Sequence, residues 1–372
     1  MRLAITTGQG IPWDTLRGLW EAADEIPLWE SAWTGDHFYP FLSDPSGPCL
    51  EGWISLAALA QRTRRLRVGV LVSGMPHRHP AVLAKMAAAL DLTSGGRLEL
   101  GLGAAWYQAE CDAYGIDLGS VRERMDRFAE GTEVIHRLLT SPAVTFSGRY
   151  YRLADARCEP KPRQRPRPPI VIGGTGERRT AAVVARWADH WNLGFVRPED
   201  VPRKLAALTD HCAGFGRDPR TIDISVVVRT AGRGGRRDLA EVGDEVAAYE
   251  AVGCRLAIVE ARAEHASEAR PEIDRLTAAL EPLATSTGKP DSPQPAQDLR
   301  DHAGSLAAVR LTEFWERMNA QFGESYARSV AKDQVMAALG DRTVNQALAD
   351  GEDAKVVWRA VCETFDVPER LR

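Results

Sequence analysis

A glycine-rich turn that follows an apolar run carries the clearest chemical signal in this sequence. Residues 169–172 predict a buried strand, Gly173-Gly174-Thr175-Gly176 a turn, and the pattern from Thr180 a helix. Such a turn leaves backbone N–H groups pointing at one spot, where the helix dipole also favours an anion. Arg178 and Arg179 are expected in the first helical turn, where a cation is unfavourable unless an anion is nearby. An ordinary strand–helix turn is the alternative. Phosphate binding would involve Gly173, Gly174, Thr175, Gly176 and Arg178, and the stretch alone leaves both interpretations open.

A second group of side chains with possible chemistry follows other apolar runs. Asp36 and His37 come directly after one run, and an imidazole titrates near neutral pH, which suits proton transfer. A structural histidine held by Asp36 is the alternative. Trp106 follows the glycine-rich end of another run and could line a cavity. Glu51 is either a catalytic carboxylate or a helix-start residue. The candidate catalytic residues are therefore His37, Glu51 and Trp106.

The sequence lacks the patterns of several other enzyme classes. It has no HExxH motif, no closely paired catalytic acids and no GxSxG elbow, which argues against metal, glycosidase and serine-hydrolase sites. The six cysteines stand singly, so no zinc or disulfide framework is expected and a reducing cytoplasm fits best. The net charge of −4 argues against nucleic-acid and membrane partners. A small-molecule substrate and a planar redox cofactor that carries a phosphate remain.

Eight strand–helix pairs are predicted to position these residues. Apolar runs alternate with helical patterns, and the runs begin near Arg2, Glu30, Leu66, Arg97, Pro169, Asp189, Ile222 and Leu256. The alternation predicts a parallel sheet covered by helices, and the count of eight predicts an α/β fold of the (β/α)8 TIM barrel type. An open doubly wound sheet is the alternative, but it would place the glycine-rich turn after the first strand. In a barrel the ends of all strands meet, so His37, Trp106 and the glycine-rich turn should share one mouth.

The composition changes near residue 284. Residues 285–308 are rich in Pro and Ser and lack apolar periodicity, which is typical of a flexible linker. Helical apolar stripes return from residue 309 onward. The sequence thus predicts a barrel over 1–284, a linker over 285–308 and a small all-α domain over 309–372.

Several motifs give about the first 280 residues a family resemblance. They are Thr34-Gly35-Asp36-His37-Phe38, Arg78-His79-Pro80 with Ala84-Lys85-Met86, the run from Ser94-Gly95-Gly96-Arg97 to Gly103-Ala104-Ala105-Trp106-Tyr107, and Ile172-Gly173-Gly174-Thr175-Gly176. Together they resemble the bacterial luciferase-like monooxygenase superfamily, and within it the branch that uses the deazaflavin coenzyme F420. The resemblance implies an oxidoreductase with a barrel fold that forms a homodimer.

The resemblance also implies where the cofactor lies. Its phosphate would rest on the turn from Gly173 to Gly176, and its ring would lie near His37, the end of the third strand and residues 104–106. A non-prolyl cis peptide is expected at Leu71–Val72. No metal is expected. The implied cofactor-binding residues are Asp36, His37, Leu71, Val72, Gly103, Ala104, Ala105, Gly173, Gly174, Thr175, Gly176 and Arg178.

One departure from the branch bears on the substrate. Its sugar-phosphate dehydrogenases place a glutamate proton donor just after the fourth strand, where this chain has Trp106. A sugar phosphate is therefore not expected. Three functions stay open: an F420-dependent hydride transfer to or from a small organic substrate, an FMN-dependent monooxygenase with a partner reductase, and a non-catalytic cofactor-binding or scaffold protein with an interaction tail.

Residues 309–372 resemble a small actinobacterial domain family of unknown function, which usually occurs as a separate protein. The chain could therefore be a fusion or a readthrough product of two adjacent genes. A helix–Gly340–helix layout is similar to a helix-turn-helix. However, this segment holds nine Lys/Arg and eleven Asp/Glu, which is unfavourable for contacts with phosphates. The sequence predicts a protein partner for this domain.

Overall fold

The barrel strands follow the predicted alternation. The computed structural model describes residues 1–40, 44–232, 235–284, 311–322, 324–340, 342–350, 352–365 and 367. Its eight parallel strands are β1 (Arg2–Thr6), β2 (Trp29–Thr34), β3 (Arg67–Val70), β4 (Leu98–Gly103), β5 (Ile170–Gly173), β6 (His190–Asn192), β7 (Asp223–Val228) and β8 (Leu256–Glu260). They pair in the order β3-β2-β1-β8-β7-β6-β5-β4, and a further β3–β4 pairing closes the circle. The predicted (β/α)8 barrel is confirmed.

A helix follows each strand and covers the outside of the barrel. These helices are α1 (Trp13–Asp24), α2 (Gly52–Arg62), α3 (Pro80–Thr93), α4 (Val121–Thr140), α5 (Arg179–Trp187), α6 (Val201–Gly214), α7 (Leu239–Ala251) and α8 (Ala266–Ala284). In α1 the buried face contains Leu16, Leu19, Trp20 and Ala23, as the helical spacing predicts. The alternate residues of the strands that face outward pack against these helices in one large core.

Additional short elements lie between the barrel units. A two-residue strand, Ser73–Gly74, and a 3-10 turn, Met75–His77, follow β3. A short helix, Gln108–Ala113, follows β4. An antiparallel hairpin of Val144–Ser147 with Arg152–Ala156 precedes β5. A smaller pairing, Ala231–Gly232 with Gly235–Arg236, follows β7.

The inside of the barrel is apolar toward the mouth and polar toward the base. Ala4, Trp33, Val171, Val227 and Ile258 belong to an apolar cluster that is separate from the outer core.

Below that cluster, Arg67 donates to Glu99 at 2.5 Å, and Ser225 lies 2.5 Å from Nε2 of His190. Burial would raise the pKa of Glu99, but His190 and Arg67 beside it hold that pKa below its ordinary value. The apolar layer thus separates this charged base from the mouth.

The chain divides into two compact units, Met1–Ala105 with Tyr114–Thr287, and Trp106–Ala113 with Gly288–Arg372. The second contains α9 (Leu311–Phe322), α10 (Glu324–Asp333), α11 (Val344–Ala349) and α12 (Ala354–Thr364) around a core that includes Phe314, Met318 and Trp358. It also contains a two-residue antiparallel pairing, Val335–Met336 with Arg342–Thr343. The predicted linker, 285–308, lies outside the described residues.

Candidate functional site

Gln9 holds the backbone of His37 at the mouth of the barrel. Its amide oxygen accepts from the His37 N–H at 3.0 Å, and its amide nitrogen donates to the His37 carbonyl at 3.0 Å and to the Leu50 carbonyl at 2.6 Å. A Cβ at Gly35 would lie 2.5 Å from that amide oxygen, so a glycine is needed there. Because Gln9 pairs with both backbone groups of His37, the turn after β2 is fixed to the loop after β1.

Asp36, next to His37, is the centre of a buried ion network. Arg78 donates to both carboxylate oxygens at 2.7 and 2.8 Å, and the Gly74 N–H donates at 3.0 Å. Nδ1 of His77 lies 3.2 Å from the same carboxylate. Burial would raise the pKa of Asp36, but the hydrogen bonds from His77 and Arg78 hold it below its ordinary value. Asp36 therefore ties the turn after β2 to the segment after β3.

The segment after β3 contains the non-prolyl cis peptide at Leu71–Val72, where the resemblance implied one, and that prediction is confirmed. The Val72 side chain points at glycines of the neighbouring strands. A Cβ added at Gly103 or at Gly173 would lie 2.5 or 2.9 Å from a Val72 methyl group, and one at Gly101 would lie 3.2 Å away. These three positions leave room for the Val72 side chain because they are glycines.

The glycine-rich turn after β5 has the geometry expected of an anion cradle. Gly174 has a φ of +128°, which favours glycine, and its N–H donates to the Asn192 carbonyl at 3.1 Å. By contrast, the backbone N–H groups of Thr175 and Gly176 have no acceptor within the described part of the chain. A Cβ at Gly176 would lie 2.8 Å from the Thr180 hydroxyl oxygen. The amides of Thr175 and Gly176, just before α5, therefore fit a phosphate.

Aromatic rings form one wall of the mouth. Phe38, the residue after His37, lies 4.9 Å from the His77 ring and 4.7 Å from the Tyr114 ring, measured between centroids. Tyr39 contacts Tyr114 at 5.7 Å. Together with Val72 this wall gives the mouth the apolar character that a planar ring needs.

Two family models match this chain. The model for luciferase-like monooxygenases matches residues 2–292. The chain belongs to the luciferase-like monooxygenase family. A second model, for a family of unknown function called DUF3046, matches residues 309–370. The two matched ranges agree with the two resemblances in the sequence.

Curated relatives of this luciferase-like protein include F420-dependent enzymes. An F420-dependent glucose-6-phosphate dehydrogenase of Amycolatopsis mediterranei is 34% identical over 47% of this chain and 50% of the relative. An F420-dependent hydroxymycolic acid dehydrogenase of Mycobacterium tuberculosis is 31% identical over 59% of this chain and 57% of the relative. A 4-hydroxyprotoasukamycin monooxygenase of Streptomyces nodosus is 37% identical over 39% of this chain and 37% of the relative. The chain thus spans about half the length of the curated relatives it matches.

Solved structures of the luciferase-like fold agree with the barrel. An F420-dependent secondary alcohol dehydrogenase superposes with a TM-score of 0.66 and 17% identity, over 75% of this chain and 98% of the other. A monooxygenase of Streptomyces bottropensis gives a TM-score of 0.65 and 22% identity, over 76% and 99%. The chain therefore has the barrel fold of these luciferase-like structures.

The three predicted catalytic residues of this luciferase-like chain differ in their positions and contacts. His37 stands at the mouth beside the Asp36 network, as expected. Glu51 caps the first turn of α2 by accepting from the Ile54 N–H at 2.7 Å, and its other oxygen pairs with Arg78. That geometry supports the helix-start alternative for Glu51. Trp106 stacks on Tyr107 at 5.2 Å and belongs to the second unit, so its catalytic role stays a prediction.

The predicted cofactor-binding residues also separate into groups. Leu71, Val72, Gly103 and Gly173 lie together in the mouth, and Ala105 has a positive φ of 60° just after β4. Ala104 is partly buried and packs against the outer core. The Asp36 carboxylate binds neighbouring loop residues. Contact between these residues and a cofactor stays a prediction.

Two arginines after the glycine-rich turn also differ from each other. Arg178 is exposed beside the turn. Arg179 donates instead to the Arg122 carbonyl at 3.0 Å and pairs with Asp126 on α4. Arg178 therefore remains a predicted anion ligand, whereas Arg179 links α5 to α4.

Two further residues of the site, Gln9 and Arg78, were not predicted from the sequence. Gln9 carries no motif, since a lone glutamine after a strand has no distinctive spacing. Arg78 belonged to a quoted motif, but nothing in the sequence showed that its guanidinium meets Asp36, 42 positions earlier. Polar residues just after neighbouring barrel strands were the only available signal for both.

No group of three or more His, Cys, Asp or Glu side chains in the described part of the chain is arranged to hold a metal ion. None of the helices there has the length and apolarity required to cross a bilayer.

Proposed function

We propose that this chain is a coenzyme F420-dependent oxidoreductase that transfers a hydride between the deazaflavin and a small organic substrate. The anion cradle after β5 carries the proposal, because the backbone N–H groups of Thr175 and Gly176 have no acceptor among the described residues. The F420-dependent relatives favour this cofactor over FMN. When bound, F420 supplies a two-electron hydride donor or acceptor.

The residues of this chain have separate tasks in this proposal. The amides of Thr175 and Gly176 bind the cofactor phosphate, and Arg178 neutralises charge beside it. Val72 and the glycines around it give the ring a close-packed apolar surface. His37, held in place by Gln9, moves a proton at the ring, and Phe38 with Tyr114 excludes water from it.

The expected activity can be measured without knowing the substrate. Purified protein with oxidised F420 and a panel of small secondary alcohols should bleach the visible absorbance of the deazaflavin. Reduced F420 with the matching ketones should restore it. The FMN alternative predicts instead that reduced FMN and oxygen are consumed together with a substrate, as expected of a monooxygenase like one of the relatives. Turnover with FMN and none with F420 would reject the proposal.

We also propose that the protein forms a homodimer through α2 and α3. The outer faces of these helices expose Ile54 at 73% and Val82 at 54%, with Leu92 at the end of the same stripe of α3. Exposed alanines on both helices, such as Ala57 and Ala89, would allow two copies of these helices to approach closely.

This interface gives a direct prediction. The double variant Ile54→Glu with Val82→Glu should be monomeric in light scattering coupled to size exclusion, because buried unpaired carboxylates oppose association. Phe215→Glu, which changes another exposed apolar residue after α6, should remain dimeric. A double variant that stays dimeric, or a monomeric parent protein, contradicts this interface.

The domain organisation follows the two family matches. We propose that residues 1–284 form the catalytic domain, 285–308 a linker, and 309–372 a fused domain that binds a protein partner. The four helices of the second unit enclose their own core, which is what an independent binding module requires. A separate short product in cell lysate, detected by mass spectrometry, would indicate readthrough between two genes.

A further inference from the structure

Glu260 ends β8 and faces the mouth of the barrel. Along this strand Ala257 and Val259 belong to the outer core, whereas Leu256 and Ile258 belong to the inner cluster. Since side chains alternate along a strand, Glu260 points inward like Ile258. Its register partner on β1 is Thr6, the last residue of that strand. Glu260 therefore stands at the carboxyl end of the barrel, where the site lies.

The two carboxylate oxygens of Glu260 have different surroundings. Oε1 accepts from Arg262 at 2.7 Å. Oε2 is buried and has no hydrogen-bond partner among the residues that the structure describes. The side chain as a whole is 22% exposed, so the carboxylate lies at the border between the protein interior and solvent. A buried carboxylate oxygen without a partner is costly, and such groups are kept where a ligand uses them.

The position of Glu260 relative to the other site residues indicates that its ligand is the substrate. The cradle, the cis segment and His37 follow β5, β3 and β2, which form one side of the circle with β4. The other side, from β6 to β1, is left for the substrate. On that side Glu260 is separated from β2 by β1 alone.

The other carboxylates of the mouth are already engaged. The Asp36 carboxylate forms hydrogen bonds with Gly74, His77 and Arg78. The Glu51 carboxylate accepts hydrogen bonds from Ile54 and Arg78. Among the described acidic residues, Glu260 is the one with a buried side-chain oxygen that has no hydrogen-bond partner. Resting on the function proposed above, we propose that Glu260 is the catalytic acid–base residue that exchanges a proton with the substrate oxygen.

Oxidation of an alcohol at this site breaks two substrate bonds. The substrate C–H bond breaks and its hydride passes to oxidised F420. The substrate O–H bond breaks, its proton passes to Oε2 of Glu260, and a carbonyl group forms. Glu260 then releases the proton to water. In the opposite direction protonated Glu260 gives its proton to the carbonyl oxygen as that carbon receives the hydride.

Two variants of the full-length protein test this assignment. Glu260→Gln keeps the shape but cannot take up a proton, so F420 reduction by the best secondary alcohol of the panel should fall about 100-fold. The Kd for F420 should stay at the parental value. Glu260→Leu removes the unpaired oxygen, so the melting temperature of the cofactor-free protein should rise by about 2 °C. Glu241→Gln, an exposed change on α7, should alter none of these quantities.

The outcomes separate this inference from the proposed function. Parental activity that survives in Glu260→Gln, or a melting temperature that falls in Glu260→Leu, overturns the assignment of Glu260 alone. A parental protein that reduces F420 with none of the alcohols counts against the proposed function, and the assignment of Glu260 then falls with it.

Discussion

Asp36→Asn is expected to destabilise the barrel unit by about 2–3 kcal/mol, because it removes the buried carboxylate of the network and leaves the Arg78 guanidinium paired with Glu51 alone. The Asp36 side chain is 1% exposed and accepts from three partners on the segment after β3. An asparagine offers one oxygen in place of two and directs N–H groups at Arg78. Urea unfolding followed by circular dichroism measures the change. Asp244→Asn, an exposed change on α7, serves as the control.

The pH dependence of stability gives a second measurement on the same variant. The folded-state pKa of Asp36 lies below its ordinary value, so its contribution is present above the unfolded-state pKa, near 3.9. It is lost as the pH falls through the lowered folded-state pKa. Asp36→Asn should therefore remove part of the acid-induced loss of stability. An acid transition of unchanged depth, or a destabilisation below about 1 kcal/mol, would show that the network contributes little.

Gly174→Val is expected to weaken cofactor binding about 10- to 100-fold, because a β-branched residue is strained at a φ of +128°. The turn would shift to relieve this strain. Its present position is set by two bonds, from the Gly174 N–H to Asn192 and from the Trp191 indole to the Gly174 carbonyl. A shift of Gly174 moves the amides of Thr175 and Gly176 away from the phosphate.

The affinity for F420, measured by fluorescence titration, tests this prediction. Gly214→Val is a matched control, because nothing lies within 4 Å of a Cβ at that position at the end of α6. It should bind F420 like the parent protein. Equal affinity in Gly174→Val would show that the phosphate rests elsewhere.

Local patterns were sufficient to predict the barrel from the sequence. Each strand is a short apolar run, and each helix carries one apolar face, so the alternation is visible along the chain. The cis peptide at Leu71–Val72 and the role of the turn from Gly173 to Gly176 came from the family resemblance, since no physical pattern in the sequence distinguishes a cis bond or a phosphate turn from ordinary ones.

The side-chain bonds within the site could not be predicted in the same way. Gln9, Asp36 and Arg78 meet only after the barrel closes, so their pairing depends on tertiary distances that spacing does not encode. The catalytic interpretation of Glu51 likewise missed that Arg78 reaches it. Glu260 was not predicted as a site residue because it ends an apolar strand, where a single acidic residue is an ordinary end of the strand. Its unpartnered oxygen is visible only in the structure.

The most direct test of the central claim is an equilibrium titration of the purified full-length protein with F420 and, separately, with FMN. The account predicts that F420 binds with a Kd in the micromolar range or below and that FMN binds at least about tenfold more weakly. Tight binding of FMN without binding of F420 would contradict the proposed cofactor. Binding of neither would favour a non-catalytic role for the luciferase-like barrel.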